Sequence, residues 1–305
     1  MIENFAMKKI LITGGTGLVG TKLSKLLAEN SFEVRILTRN KNKKSDYKLF
    51  TWDYKNNFIE EGALKDIDVV IHLAGANIGE KRWTKSRKKE IIASRVKSAE
   101  FLYNKISELA KKPEVFISAS AVGYYPVFSF DGDIFDEKSQ AGNNFTALVC
   151  KEWEKAADKF KDIGIRVVKI RTGIVQDKKD PALKKILDLA KFGAIPVFSS
   201  GKQYYPWIHI EDLARIYLYS IHNKEHETIN AVAPQLITNL EYSRSIKKVI
   251  GKGLIIKIPT FVIKLIFGEM ADVVTKGTKI KSILHQGDFK FLYPDITSAL
   301  RNLIG

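Results

Sequence analysis

The sequence predicts a doubly wound α/β fold, a parallel sheet with helices on both faces, joined to a smaller, mostly helical C-terminal domain that completes a substrate site. Three observations predict it. Apolar runs of strand length alternate with stretches of helical periodicity, the first run leads directly into a glycine-rich turn, and residues 236–305 carry mainly helix signals. With 305 residues, 45% hydrophobic and 10% aromatic, the chain is long enough for one large domain or two modest ones. Disordered, collagenous and mini-protein classes are excluded.

The first strand is Lys9-Ile10-Leu11-Ile12. Thr13-Gly14-Gly15-Thr16-Gly17-Leu18-Val19-Gly20 follows, and then a helix with Leu23, Leu26 and Leu27 on one face. Strand, glycine turn and helix in this order suit a dinucleotide pyrophosphate. Gly14 and Gly17 permit a tight turn that a phosphate can approach, Gly20 lets helix and strand pack, and the helix N-terminus offers free N–H groups. Thr16, Leu18 and Val19 belong to the same cradle, which marks the fold as Rossmann-type. The second strand, Phe32 to Leu37, ends at Thr38-Arg39-Asn40, where an NAD-binding unit would place an acid on the ribose. No acid stands there. Arg39, with Lys41 and Lys43 nearby, favours the 2′-phosphate of NADP over NAD, the alternative being a solvated strand-end residue. Asp68 to Gly75 reads as a buried parallel strand ending in small residues where the cofactor passes, along Leu73, Ala74 and Gly75.

Lys85 to Ala110 is a crossover helix and Val115 to Ser118 the next strand. Val127 to Asn144 is a polar loop long enough to serve as a lid or substrate loop. Ile165 to Ile170 gives a further strand that runs into Arg171-Thr172-Gly173-Ile174-Val175. The chain then leaves the nucleotide domain, returns at Trp207 and leaves again after Pro234. The expected division is therefore 1–175 plus 207–235 for the NADP-binding domain and 176–206 plus 236–305 for the substrate domain. Thr238-Asn239-Leu240-Glu241 is a helix start, and the apolar stripe Phe261, Leu265, Ile266, Met270, Val273, Val274 is expected in a core or an interface.

Thr13-Gly14-x-x-Gly17-x-x-Gly20, Asp68-x-Val70-Ile71-His72-Leu73-Ala74-Gly75 and Trp207-Ile208-His209-Ile210-x-Asp212-Leu213-Ala214 resemble the extended short-chain dehydrogenase/reductase superfamily. Further segments resemble its atypical subgroup, the epimerase-family or sugar-nucleotide-epimerase-like oxidoreductases with a short C-terminal domain of unknown function. They are Gly75-Ala76-Asn77-Ile78, Arg82-Trp83-Thr84, Ser94-Arg95-Val96, Ser118 to Tyr125, Cys150-Lys151-x-Trp153-Glu154 and Gly287 to Asp295. The resemblance covers nearly the whole chain. It implies an NADP cofactor, with the turn at Gly173 beside the nicotinamide.

In the wider superfamily a Tyr-x-x-x-Lys pair moves the proton while a nearby Ser or Thr orients the substrate oxygen. None of the eleven tyrosines here has a lysine four residues later. Aligned on Glu154, the tyrosine position falls at Thr146 and the lysine position at Cys150, neither of which reproduces the pair. Ser120 fills the serine place, and Tyr124, rather than its neighbour Tyr125, is the favoured replacement acid. Arg95, where many relatives place Asn, and His209, beside the substrate domain, are candidate substrate contacts, each with a structural alternative.

The leading expectation is an NADP-dependent oxidoreductase acting on a small polar substrate. A nucleotide-sugar epimerase and a non-catalytic NADP sensor are the alternatives. The single cysteine, Cys150, allows no intrachain disulfide and has no zinc cluster around it, which fits the cytoplasm, and no metal is expected. The net charge of +16 comes from 40 lysines and 10 arginines that never run longer than three, so no nucleic-acid partner is expected. The tract Leu254 to Phe267, broken by Lys257, Pro259 and Lys264, falls short of the ~20 apolar residues of a membrane span. A monomer or homodimer is expected.

Overall fold

The computed structural model describes residues 7–40, 42–128 and 133–304. The chain runs β1 (Lys9–Thr13), α1 (Leu18–Glu29), β2 (Glu33–Thr38), β3 (Lys48–Asp53), β4 (Phe58–Ile59), β5 (Val69–His72), α2 (Lys85–Ser107) and β6 (Val115–Ala121). It continues through β7 (Ile134–Phe135), α3 (Phe145–Asp158), β8 (Arg166–Thr172), β9 (Ile174–Gln176), α4 (Pro181–Lys191), β10 (Ala194–Phe198), β11 (Trp207–His209), α5 (Ile210–His222) and β12 (Thr228–Ala231). The remaining elements are α6 (Asn239–Ile250), β13 (Leu254–Ile258), α7 (Thr260–Phe267), α8 (Ala271–Thr275), β14 (Lys279–Ile280) and α9 (Ile296–Ile304).

Eight strands form the central sheet in the order β12-β8-β6-β5-β1-β2-β3-β4, and only β4 runs antiparallel to its neighbour. The order reverses at β1, which lies between β2 and β5, so a crevice opens beyond the C-terminal ends of β1 and β5. Alternation within each buried strand feeds two cores. Ile10 and Ile12 pack with Leu23, Leu27 and Leu213 on one face, while Leu11 packs with Leu102, Phe116 and Phe160 on the other. A third core joins α4, α6 and α9 through Leu183, Tyr242, Ile246, Ile296 and Leu300. The fold is the mixed α/β Rossmann-type architecture expected from the strand and glycine pattern.

Several elements depart from the sequence reading. β3 joins the sheet where no strand was expected, because Phe50 and Trp52 alternate into one core while Leu49 packs against the other. On the chain's return β11 pairs with β9 in a separate two-stranded sheet, and β12, not read as a strand from the sequence, supplies the edge strand beside β8. The loop 127–144 contains β7, which pairs with β14, and Phe128 bridges to Gly277, so its described part is stitched to the C-terminal segment. Residues 129–132 of that loop lie outside the described residues. The apolar stripe of α7 and α8 is not core: Phe261 is 73% and Leu265 77% exposed, and the side chain of α7 that is buried is Ile263. The Thr238 helix start forms as read, with a capping box to Glu241. Among the described residues no helix is long and apolar enough to cross a membrane.

Candidate functional site

The crevice is built by the glycine turn and the end of β5. Gly14 adopts a φ of +69°, and a Cβ on it would stand 3.1 to 3.2 Å from backbone atoms of Leu73 and Ala74, so only glycine lets the turn settle there. Thr13 ties the same two ends together, its Oγ1 accepting from the Leu73 and Ala74 amides at 3.1 Å each. The Thr13 hydroxyl also meets His72 Nδ1 at 2.8 Å, and His72 Nε2 lies 3.1 Å from Ser98 Oγ. Burial holds the His72 pKa down, to about 4, so this bracket is a neutral one. On the other side of the turn a Cβ at Gly20 would lie 2.4 Å from the Gly14 carbonyl oxygen, so this glycine sets how closely α1 meets the turn.

The N-terminus of α1 opens outward. Gly17 is exposed, with Thr16, Leu18 and Val19 half-buried around it. No side chain caps the helix and no acid stands in its first turn, so its leading N–H groups keep their positive field for an incoming anion. Arg39, just past β2, is exposed and pairs with no described residue. Lys43 Nζ donates to the Thr16 carbonyl at 3.2 Å, which brings a second cation to the turn. Lys41 lies outside the described residues.

Beyond the end of β6 lies a buried charged network that the sequence reading did not assemble. Arg171 on β8 grips the Glu154 carboxylate of α3 with two bonds, Nε to Oε1 and Nη2 to Oε2, both 2.8 Å. Ser120 donates its hydroxyl proton to the same Oε1 at 2.7 Å. Arg171 Nη1 also donates to the Tyr125 hydroxyl at 2.8 Å, which in turn donates to Asn230 Oδ1 at 2.7 Å. Tyr125 is fully buried, and burial pushes its phenol up to about 12. It is the tyrosine that packs. Tyr124 is half-buried, its ring 3.4 Å below the Arg171 guanidinium carbon, and its hydroxyl has no hydrogen-bond partner among the described residues. The signal for the network was available as an acid on the apolar face of a helix and an arginine inside an apolar strand.

Helix α3 does not rebuild the missing pair in place. Thr146 Oγ1 donates to Asn144 Oδ1 at 2.8 Å, and the buried Cys150 thiol points at the Ala121 carbonyl at 3.5 Å. Burial raises that thiol to about 12.

The remaining candidates separate. Gly173 is packed by the chain itself: a Cβ there would stand 2.8 Å from the Pro206 carbonyl oxygen and 3.0 Å from Val232. His209 caps α5, its Nδ1 accepting from the Glu211 amide at 3.2 Å, and its ring packs against Tyr293 with centroids 3.8 Å apart and planes tilted by 36°. Burial lowers its pKa, so it serves as a neutral cap. Arg95 lies under the Gly75 turn on the Trp153 ring, its Cζ 4.7 Å from the ring centroid. Among the described residues no group of three or more His, Cys, Asp and Glu could hold a metal ion.

Two family models match the chain, the NAD dependent epimerase/dehydratase family over residues 10–145 and a domain of unknown function (DUF1731) over residues 258–303. The epimerase family protein SSP1921 of Staphylococcus saprophyticus is 34% identical over 98% of this chain and 100% of its own length. Among solved structures, the human epimerase family protein SDR39U1 (isoform 2), crystallised with NADPH, matches with a TM-score of 0.86 at 29% identity, covering 97% of this chain and 98% of that one. A nucleoside-diphosphate sugar epimerase from Corynebacterium glutamicum matches with a TM-score of 0.78 at 30% identity, covering 98% of this chain and 59% of its own. One third identity along the entire length, on top of the glycine turn and the eight-stranded sheet, leaves a single conclusion: the chain belongs to the NAD dependent epimerase/dehydratase family and carries the DUF1731 domain at its C-terminal end.

Proposed function

We propose that this chain binds NADP(H) in the crevice beyond β1 and β5 and works as an oxidoreductase on a small polar substrate. The observation that carries the reading is Arg39, an exposed cation without a partner among the described residues, at the strand end where the ribose 2′ position of a bound dinucleotide would lie. The human neighbour crystallised with NADPH supports the same cofactor. The residues fit it. The uncapped, acid-free N-terminus of α1 at Gly14, Thr16, Gly17, Leu18 and Val19 suits a pyrophosphate, and Leu73, Ala74, Gly75 and Gly173 border the path onward.

Bound there, NADP(H) supplies a hydride donor or acceptor at its nicotinamide ring. The other tasks fall to the chain. Ser120 has one hydroxyl proton and Glu154 takes it, so toward a ligand the oxygen offers lone pairs. It therefore accepts from a substrate hydroxyl and fixes its orientation. Tyr124, whose hydroxyl has no partner among the described residues, is the group left to give or take the proton, a contribution of ~10²–10⁴ in rate. Epimerisation, which oxidises and then re-reduces one substrate, would draw on the same two groups.

A second reading, NADP sensing without turnover, is favoured by α3, where Thr146 and Cys150 are turned to local structural contacts. Single-turnover oxidation of bound NADPH with a panel of small carbonyl compounds and nucleotide sugars separates the two. The oxidoreductase reading expects turnover in wild type, a loss of at least tenfold in Tyr124→Phe and a smaller loss in Ser120→Ala. If wild type oxidises NADPH with none of them, sensing takes its place; if both variants match wild type, the assignment of these residues is wrong.

A further inference from the structure

Arg95 is a buried cation that the described residues leave without an anion. Only 9% of it is exposed, and no carboxylate of the described residues pairs with it, whereas the neighbouring Arg87 is paired with both Glu80 and Glu90. Its Nη1 donates to the carbonyls of Ala76 at 3.1 Å and Ile91 at 2.9 Å. The other edge of the guanidinium has no acceptor among the described residues: Nε is buried without a partner, and no described residue hydrogen-bonds Nη2. The Nε1 of Trp153, the ring on which Arg95 rests, is a second buried donor with no acceptor. Buried charges are otherwise neutralised by a partner, and a set of donors with no acceptor is a site for one.

The same corner has an opening. Gly75 is exposed and lies directly over the guanidinium, where an ideal Cβ would stand 3.0 Å from Cζ and 3.2 Å from both Nη1 and Nη2. Any other residue would roof the cation; glycine leaves it reachable from the crevice. The location adjoins the reacting groups, since β5, which leads into Gly75, pairs with β6, which carries Ser120.

We propose that Arg95 recognises an anionic oxygen group, a carboxylate or a phosphate, on the substrate that reacts beside Ser120 and Tyr124. This rests on the oxidoreductase reading and narrows its substrate to small organic acids and phosphorylated compounds. A planar guanidinium with one free edge suits both groups, and its charge persists at neutral pH.

The test is anion binding to the NADPH-loaded protein at constant ionic strength. Oxalate, malonate and inorganic phosphate are titrated against wild type, Arg95→Met and Arg95→Lys while the thermal midpoint is followed. Wild type is expected to show a saturable rise with at least one probe, weakened at least tenfold in Arg95→Met and partly retained in Arg95→Lys. Saturation by the dicarboxylates alone assigns a carboxylate, and saturation by phosphate alone assigns a phosphoryl group. Without anions, Arg95→Met should melt no lower than wild type, because methionine fills the space and removes an unpaired charge. The proposal is overturned if no probe saturates in wild type, if Arg95→Met responds as wild type does, or if Arg95→Met melts well below it. NADPH binding to wild type is measured first, and its failure would instead remove the oxidoreductase reading.

Discussion

Gly17 and Gly20 sit three residues apart in one motif, and the structure gives them opposite jobs. An alanine Cβ at Gly20 would lie 2.4 Å from the Gly14 carbonyl oxygen, 2.5 Å from Gly15 Cα and 2.7 Å from the Gly15 carbonyl carbon. All three are backbone atoms, so α1 must back away from the turn, carrying Leu23 and Leu27, both fully buried, with it. Overpacking of this kind costs ~3 kcal/mol at the upper end of its usual range. Alanine's better helix propensity returns ~1 kcal/mol, leaving a loss of about 2 kcal/mol. For a chain of 305 residues that is a fall of roughly 3 °C in the thermal midpoint. At Gly17 the backbone is extended, with φ −82° and ψ −179°, and the sole neighbour of an added Cβ is the Gly14 oxygen at 3.2 Å. Gly17→Val should therefore cost no more than about 1 kcal/mol, chiefly as a poorer N-cap, yet fill the space a pyrophosphate must enter. Thermal melts paired with NADPH fluorescence titrations separate the two. Gly20→Ala is expected to melt several degrees lower, and Gly17→Val to melt near wild type with affinity reduced at least 100-fold. Wild-type affinity in Gly17→Val would refute the placement of the cofactor, and an unchanged midpoint in Gly20→Ala would refute the packing argument.

Other expectations follow from buried groups. Glu154→Ala leaves Arg171 buried without its carboxylate and should cost about 3–5 kcal/mol in urea unfolding, a loss below 1 kcal/mol contradicting the network. His72 titrates near 6.5 unfolded but at about 4 folded, so the unfolded chain alone takes up its proton as pH falls through that window. Stability is full above pH 6.5, and about 3 kcal/mol is lost by pH 4. A His72→Gln variant with the same pH slope as wild type would show that the loss originates elsewhere. Cys150, with its thiol pushed up to about 12, should resist iodoacetamide at pH 8 until urea is added, and Cys150→Ser should keep NADPH affinity within twofold. Rapid native alkylation would mean that the thiol is not enclosed.

The sheet was legible because its strands are apolar on both faces and the glycine turn announces the first crossover. β3 was not, because a strand that fully buries only Phe50 and Trp52 lacks a continuous apolar run. Of the two places expected for the stripe of α7, a core or an interface, the core is excluded because Phe261 and Leu265 face outward; helical periodicity shows that an apolar face exists, not what covers it. The cofactor cradle is local in sequence, from Thr13 to Gly20, and could be read as a motif. The proposed reaction corner is assembled from Ser120, Tyr124, Glu154, Arg171 and Asn230, which meet only through tertiary packing. Sequence spacing alone could not show that the Ser120 proton is committed to Glu154, nor that Arg95 lies beneath Gly75 without a counter-charge.

The central claim is that the crevice takes NADP(H) and that Arg39 reads its 2′-phosphate. Its most direct test is the dissociation constants of NADPH and NADH for wild type and Arg39→Asp, measured side by side in one buffer. The account predicts at least tenfold tighter binding of NADPH by wild type, a difference of ~1.4 kcal/mol, and loss or inversion of that preference in Arg39→Asp. Equal affinities in wild type, or an undiminished preference for NADPH in the variant, would contradict it.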